Sequence, residues 1–118
     1  MITEDYVSFE TAKLLKEKGF DGECRDYYRE EHFYSEDFKS NWNDSKHPLE
    51  LFSAPTIQMA MKWLRETHHI HIVFSVSTEE KYEACCIRPN KPLKGTFQEN
   101  TYEQACESAI NYCLKNLI

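Results

Sequence analysis

Ile70-His71-Ile72-Val73-Phe74-Ser75-Val76 decides the fold. Apolar Ile70, Ile72, Phe74 and Val76 alternate with His71, Val73, Ser75 and Ser77. That period of two belongs to a strand with one face buried. Ser77 to Glu80 is polar and turn-like, and Lys81 to Arg88 returns as the partner strand. A hairpin over Ile70–Arg88 is therefore the centre of the reading. Beyond it, Pro89-Asn90-Lys91-Pro92 and Gly95 break regular structure.

Helical signals flank the hairpin. Upstream, Ile57, Ala60, Met61 and Leu64 form a stripe at helical spacing from about Pro55 to about Thr67. Pro55 suits a first helical turn, where its missing N–H has no partner to lose. Met59 and Trp63 form a second apolar pair four residues apart, marking a side that is either sandwiched or partner-facing. Downstream, Thr101 with Gln104 reads as a capping box that opens the last helix. Its broad apolar face is Tyr102, Ala105, Cys106, Ala109, Ile110, Cys113 and Leu117.

At the other end of the chain, Ser8 to Lys18 reads as the first helix. Ser8 caps it, and Glu10 sits where the helix dipole favours an anion. Gly19 supplies the left-handed residue that ends it, with Phe20 folding back onto Leu15. Cys24–Arg29 and His32–Tyr34 are expected to pair around Glu30-Glu31, because Tyr27, Tyr28, Phe33 and Tyr34 are good strand formers. Ser40 to Pro48, rich in Ser, Asn and Asp, reads as a loop. The order is thus α-ββ-α-ββ-α. It predicts one α+β domain over 1–118, a small antiparallel sheet with three helices packed on it. At 118 residues with 41% hydrophobic and 14% aromatic content, one core without staples is expected.

Charge narrows function. The net charge is −6 and the pI is near 5.3, which disfavours phosphate backbones and anionic membranes. From Asp21 to Asp37 seven acidic residues stand against two basic ones. The N-terminus, Met1-Ile2-Thr3-Glu4-Asp5, is acidic where a secretion signal is basic and then apolar, so a cytoplasmic location is expected. The five cysteines, Cys24, Cys85, Cys86, Cys106 and Cys113, contain no CxxC pair and read as reduced thiols. If Cys85 and Cys86 lie in a strand, they point to opposite faces.

Most catalytic chemistry finds no footing. Gly19, Gly22 and Gly95 are the only glycines, too few and too scattered for a phosphate loop. No G-x-S-x-G or H-E-x-x-H pattern occurs. Cys24 is the one nucleophile candidate outside the clear core positions, but it has no predictable base beside it. Glu30-Glu31 and Asp26 are carboxylates that serve equally well as a solvated acidic hairpin. His68-His69-x-His71 is the metal candidate, with His69 and His71 on one strand face and His32, His47, Cys85 or Glu66 to complete a shell. The alternative is a helix end whose dipole favours His68 and His69. Arg88, Lys91 and Lys94, with Lys62 and Arg65, allow a winged-helix reading. Against it, no predicted helix is predominantly basic on its polar face.

Three blocks carry a resemblance. Val7-Ser8-Phe9-Glu10-Thr11-Ala12-Lys13-Leu14-Leu15-Lys16-Glu17-Lys18-Gly19-Phe20-Asp21 is similar to the opening of small phage and prophage proteins of gut Bacteroidales. Ala54-Pro55-Thr56, leading to Met59-Ala60-Met61-Lys62-Trp63-Leu64-Arg65-Glu66, resembles them too. So does the ending from Thr101-Tyr102-Glu103-Gln104-Ala105-Cys106-Glu107 through Tyr112-Cys113-Leu114. The resemblance implies a mobile-element origin and a bacterial cytoplasm, and it implies no activity, since that family has none assigned. The reading is a non-catalytic accessory module without cofactor that binds a protein or itself. Its expected surface is the acidic aromatic segment with Tyr27, Tyr28, Phe33, Tyr34 and Trp42, where aromatics beside carboxylates anchor a basic partner. Met59 and Trp63 form a second expected partner-facing pair.

Overall fold

A computed structural model describes residues 2–77, 79–91 and 94–118. Met1 of the acidic N-terminus, Thr78 of the expected turn and Pro92 of the expected break lie outside the described residues. The fold is α+β, with two compact units, Met1–Thr56 and Ile57–Ile118.

The first unit opens with α1 (Phe9–Glu17). Ser8 Oγ accepts the Thr11 N–H at 3.2 Å and caps it as expected. At its far end Gly19 takes φ 90°; its N–H bonds the Lys16 carbonyl at 3.1 Å and the Phe20 N–H bonds that of Leu15 at 2.9 Å. Those two bonds define a Schellman stop, which needs a residue free of Cβ penalty at that φ. Strands β1 (Cys24–Arg29) and β2 (His32–Ser40) then pair antiparallel, with Glu30 in the left-handed region at the turn. A 3-10 turn, Trp42–Asp44, and a short strand, β3 (Leu51–Ser53), complete a three-stranded sheet in the order β2-β1-β3.

The second unit begins with α2 (Ile57–His68). It starts two residues later than the expected Pro55, because Pro55 and Thr56 are engaged elsewhere. The Pro55 carbonyl accepts the Val7 N–H at 3.1 Å, and Thr56 bridges Tyr6. Strands β4 (His71–Val76), β5 (Tyr82–Ile87) and β6 (Lys94–Glu99) form a second antiparallel sheet, order β4-β5-β6. The single sheet expected from the sequence is therefore two sheets, each with one more strand than the hairpin that signalled it. Helix α3 (Tyr102–Tyr112) packs on β5 and β6, while α2 packs on β4 and on α3. The forward half of the capping box is present, Thr101 Oγ accepting the Gln104 N–H at 3.1 Å.

The cores follow the predicted stripes. Ala105, Cys106, Ala109, Ile110, Cys113 and Leu114 are fully buried along α3 and its continuation. That continuation, Cys113–Leu117, winds as a π-helical turn, and Arg88 Nη2 donates to the Leu117 carbonyl at 2.9 Å. In α1, Ala12 and Leu15 are buried with Thr11. Leu15, Ile110 and Leu114, the large fully buried side chains among these, contribute roughly 1.5–3 kcal/mol each.

Candidate interaction surface

The aromatic segment is sorted by the pleat. Cross-strand partners share a face, so Tyr27 with Tyr34 lies on one side of the first sheet and Tyr28 with Phe33 on the other. The five aromatics expected on one surface therefore occupy two faces. Tyr28 and Phe33 pack edge-on at 5.5 Å, Phe33 meets Tyr6 at 5.2 Å, and Tyr28 meets Phe9 at 5.5 Å. The Tyr28 hydroxyl donates to the Val7 carbonyl at 2.7 Å, so that ring anchors the N-terminal segment. Phe33 and Tyr6 stay partly exposed on this side. The Tyr6 hydroxyl also hydrogen-bonds Asp26, and burial followed by that carboxylate raises its pKa.

The opposite face carries a ladder of rings. Tyr34 stacks on Tyr27 at 5.6 Å and 18°, Tyr27 meets Trp42 at 4.6 Å, and Trp42 meets Phe38 at 5.5 Å. Arg29 closes one end, its guanidinium 4.5 Å from the Tyr34 ring centre and Nη2 donating to the Tyr34 hydroxyl at 3.0 Å. Tyr27 is the floor, 9% exposed, with its hydroxyl donating to Glu36 Oε1 at 2.9 Å. Burial, then the Glu36 hydrogen bond, push its phenol pKa up. Trp42 is fixed by its indole N–H, which donates to the Cys24 carbonyl at 2.7 Å. Phe38, 59% exposed, is the outer end of the ladder.

A bulge puts Phe38 there. Cys24 pairs with Ser40 and Asp26 with Ser35, so four residues of β2, 36–39, face the single residue Arg25. The surplus bows out of the ladder of backbone bonds, as bulges at sheet edges do. Arg25 holds the bow by donating from Nε to the Glu36 carbonyl at 2.9 Å, and its guanidinium lies 4.0 Å from the Asp37 carboxylate. Neighbouring Asn43 ties the 3-10 turn down: its Oδ1 accepts the Ser53 N–H at 2.8 Å and its Nδ2 donates to the Phe20 carbonyl at 3.0 Å. The outcome is an aromatic ridge beside two carboxylates on an edge strand. Phe38 lies within the acidic aromatic segment but is not one of the five rings expected to form its surface; its sequence signal is an aromatic set in Ser35-Glu36-Asp37-Phe38-Lys39.

Charge is concentrated in the same unit. Residues 1–56 hold 13 Asp and Glu against 7 Lys and Arg, whereas 57–118 hold 7 against 7. The whole net charge of −6 thus belongs to the unit with the ridge.

The other sequence candidates resolve as follows. The Cys24 thiol is buried and donates to the Asp26 carbonyl at 3.3 Å, and burial raises its pKa, the reverse of an activated nucleophile. Glu30 and Glu31 are exposed at the turn. His69 adopts φ 58° between α2 and β4, so it stands outside the strand alternation that would place it on a face with His71. His68 packs edge-on against Trp63 at 4.8 Å, and burial, with a smaller contribution from His69, lowers its pKa despite the helix terminus. Among the described residues no group of three or more His, Cys, Asp or Glu gathers at metal-binding distances. Trp63 is buried at 9% exposure, so only Met59 of the expected partner-facing pair reaches the surface. Lys62, Arg65 and Lys91 are exposed, while Arg88 is committed to the C-terminal turn. Three strands separate α2 from α3, so the second unit does not place them as consecutive helices of a helix-turn-helix. No helix of the described residues is long and apolar enough to cross a membrane.

Comparison with protein-family models, with curated proteins and with solved structures returned no match.

Proposed function

We propose that this is a phage-derived accessory protein that acts without catalysis, by binding a basic protein of its bacterial host's cytoplasm along the bulged edge of β2. The supporting observation is the ridge itself. Phe38 and Trp42 are held by an aromatic floor and an indole hydrogen bond, beside Glu36 and Asp37, in the unit that carries the net negative charge. Preordered aromatics offer contact area at low entropic cost, and the carboxylates steer a cationic partner to it. A photo-crosslinking residue placed at Phe38 should capture a basic host protein, with capture falling as salt rises. Capture that is unchanged by the double substitution Glu36→Gln and Asp37→Asn would sink the reading.

Self-association is a second reading with its own support. Strand β4 lies at a sheet edge, carries no Asp, Glu, Lys, Arg or Pro, and exposes Val73 at 46% and Val76 at 63%. Natural edges usually carry a charge, a proline or a bulge that prevents pairing. Light scattering should then show a dimer that Val73→Lys dissociates; a wild-type monomer at high concentration rejects it.

A further inference from the structure

We propose that Cys86 and Cys113 form a peroxide-oxidisable dithiol that closes into a disulfide joining β5 to the C-terminal turn. The two sulfurs lie 3.2 Å apart, the Cys113 thiol donating to Cys86 Sγ. Both residues are buried, at 1% and 0% exposure, and the Cys86 thiol in turn donates to the Ala109 carbonyl at 3.6 Å, so each sulfur is oriented. Cys86 sits near the end of β5, and Cys113 is the residue at which the α-helix widens into a π-helical turn. Such turns recur at functional positions. Two residues beyond Cys86, Arg88 clamps the same turn through the Leu117 carbonyl. The sulfurs are therefore opposed across a junction already fixed on both sides, and closure needs an approach of only about 1 Å to reach the ~2.05 Å bond.

The chemistry assigns different roles to the two thiols. Cys86 accepts the hydrogen bond, which lowers its pKa, while Cys113 donates it and is raised. Cys86, as thiolate, attacks one oxygen of hydrogen peroxide; the O–O bond breaks, and hydroxide leaves and takes up a proton to become water. The Cys86 sulfenic acid is then attacked by the Cys113 sulfur, forming the S–S bond and releasing a second water with the Cys113 proton. Two thiols lose one electron pair in total, and one peroxide is reduced to two waters. Peroxide is small enough to reach buried thiols through the brief local openings that folded chains undergo. Cys85, next in sequence but on the other face of β5 and partly exposed, serves as the internal control.

The test uses the full chain in its native state, exposed to hydrogen peroxide, quenched, denatured, alkylated and digested. The expected result is loss of alkylation at Cys86 and Cys113 together, a peptide linking them, and recovery with dithiothreitol. Cys85→Ser should form the same link, while Cys86→Ala and Cys113→Ala should not. The cross-link should raise Tm by about 5–10 °C, reversibly. The same treatment in urea should scatter linkages over all five cysteines. Native oxidation confined to Cys85, or a native linkage pattern no different from that in urea, overturns the proposal. Both outcomes are read on the wild-type chain, so a variant that fails to fold does not blunt the test.

Discussion

Replacing Trp42 tests whether the ridge is built as described. Trp42→Phe keeps most of the ring but removes the indole N–H, leaving the part-buried Cys24 carbonyl without its 2.7 Å donor. Losing one such bond costs about 1 kcal/mol. Trp42→Ala also removes the rings' contact with Tyr27 at 4.6 Å and Phe38 at 5.5 Å. Because Trp42 is half-buried, the loss falls below the range for a fully buried aromatic, at about 2–3 kcal/mol. Phe38→Ala, at the exposed end, should stay within about 0.5 kcal/mol of wild type. Urea unfolding followed by circular dichroism reads all three. With a slope of roughly 1.5 kcal/mol per molar, the midpoint should drop by about 0.7 M for Trp42→Phe and by about twice that for Trp42→Ala. A Trp42→Ala chain with an unshifted midpoint would show that the ladder contributes nothing. A Phe38→Ala chain as damaged as Trp42→Ala would show that Phe38 is core and not a contact residue.

Other outcomes follow from the same geometry. Gly19→Ala meets no atom within 4 Å, so its cost is that of placing a Cβ at φ 90°, about 1–2 kcal/mol, and Gly19→Asn should cost less; equal stability of all three chains refutes the Schellman assignment. His68 has a folded pKa below its ordinary value, so the unfolded chain binds its proton more readily. Stability should be flat above pH 7 and fall as pH drops through about 6.5, and His68→Gln should remove that part of the fall in paired urea titrations. Alkylation at pH 8 should label Cys85 first and Cys106 very slowly, because burial pushes the Cys106 thiol up to about 11; fast labelling of Cys106 contradicts its burial.

The sequence carried the elements with local chemical signatures. Ser8, Thr101 and Gly19 act within one turn of themselves, and their capping bonds form as their types dictate. Period-two alternation located β4, the polar turn after it located β5, and aromatic content located β1 with its bounds. What stayed hidden was set by partners distant in sequence. Leu51-Phe52-Ser53 is too short to show a period, and it becomes β3 only by pairing with Tyr27, Tyr28 and Arg29. The extra residues of β2 break its alternation, so Ser35 to Ser40 did not read as strand. For the site, composition marked the acidic aromatic segment but not the face of each ring. That needs the register, which separates Tyr28 and Phe33 from Tyr27 and Tyr34 and brings Phe38 to Trp42.

The central claim is that the β2 bulge is the contact surface, and photo-crosslinking from two positions in host cytosol tests it most directly. With the crosslinker at Phe38, the account predicts capture of a basic protein that salt and the Glu36→Gln, Asp37→Asn pair both diminish. With the crosslinker at exposed Val73 in the second unit, it predicts no capture of that protein. Capture from Val73 and none from Phe38 would contradict it.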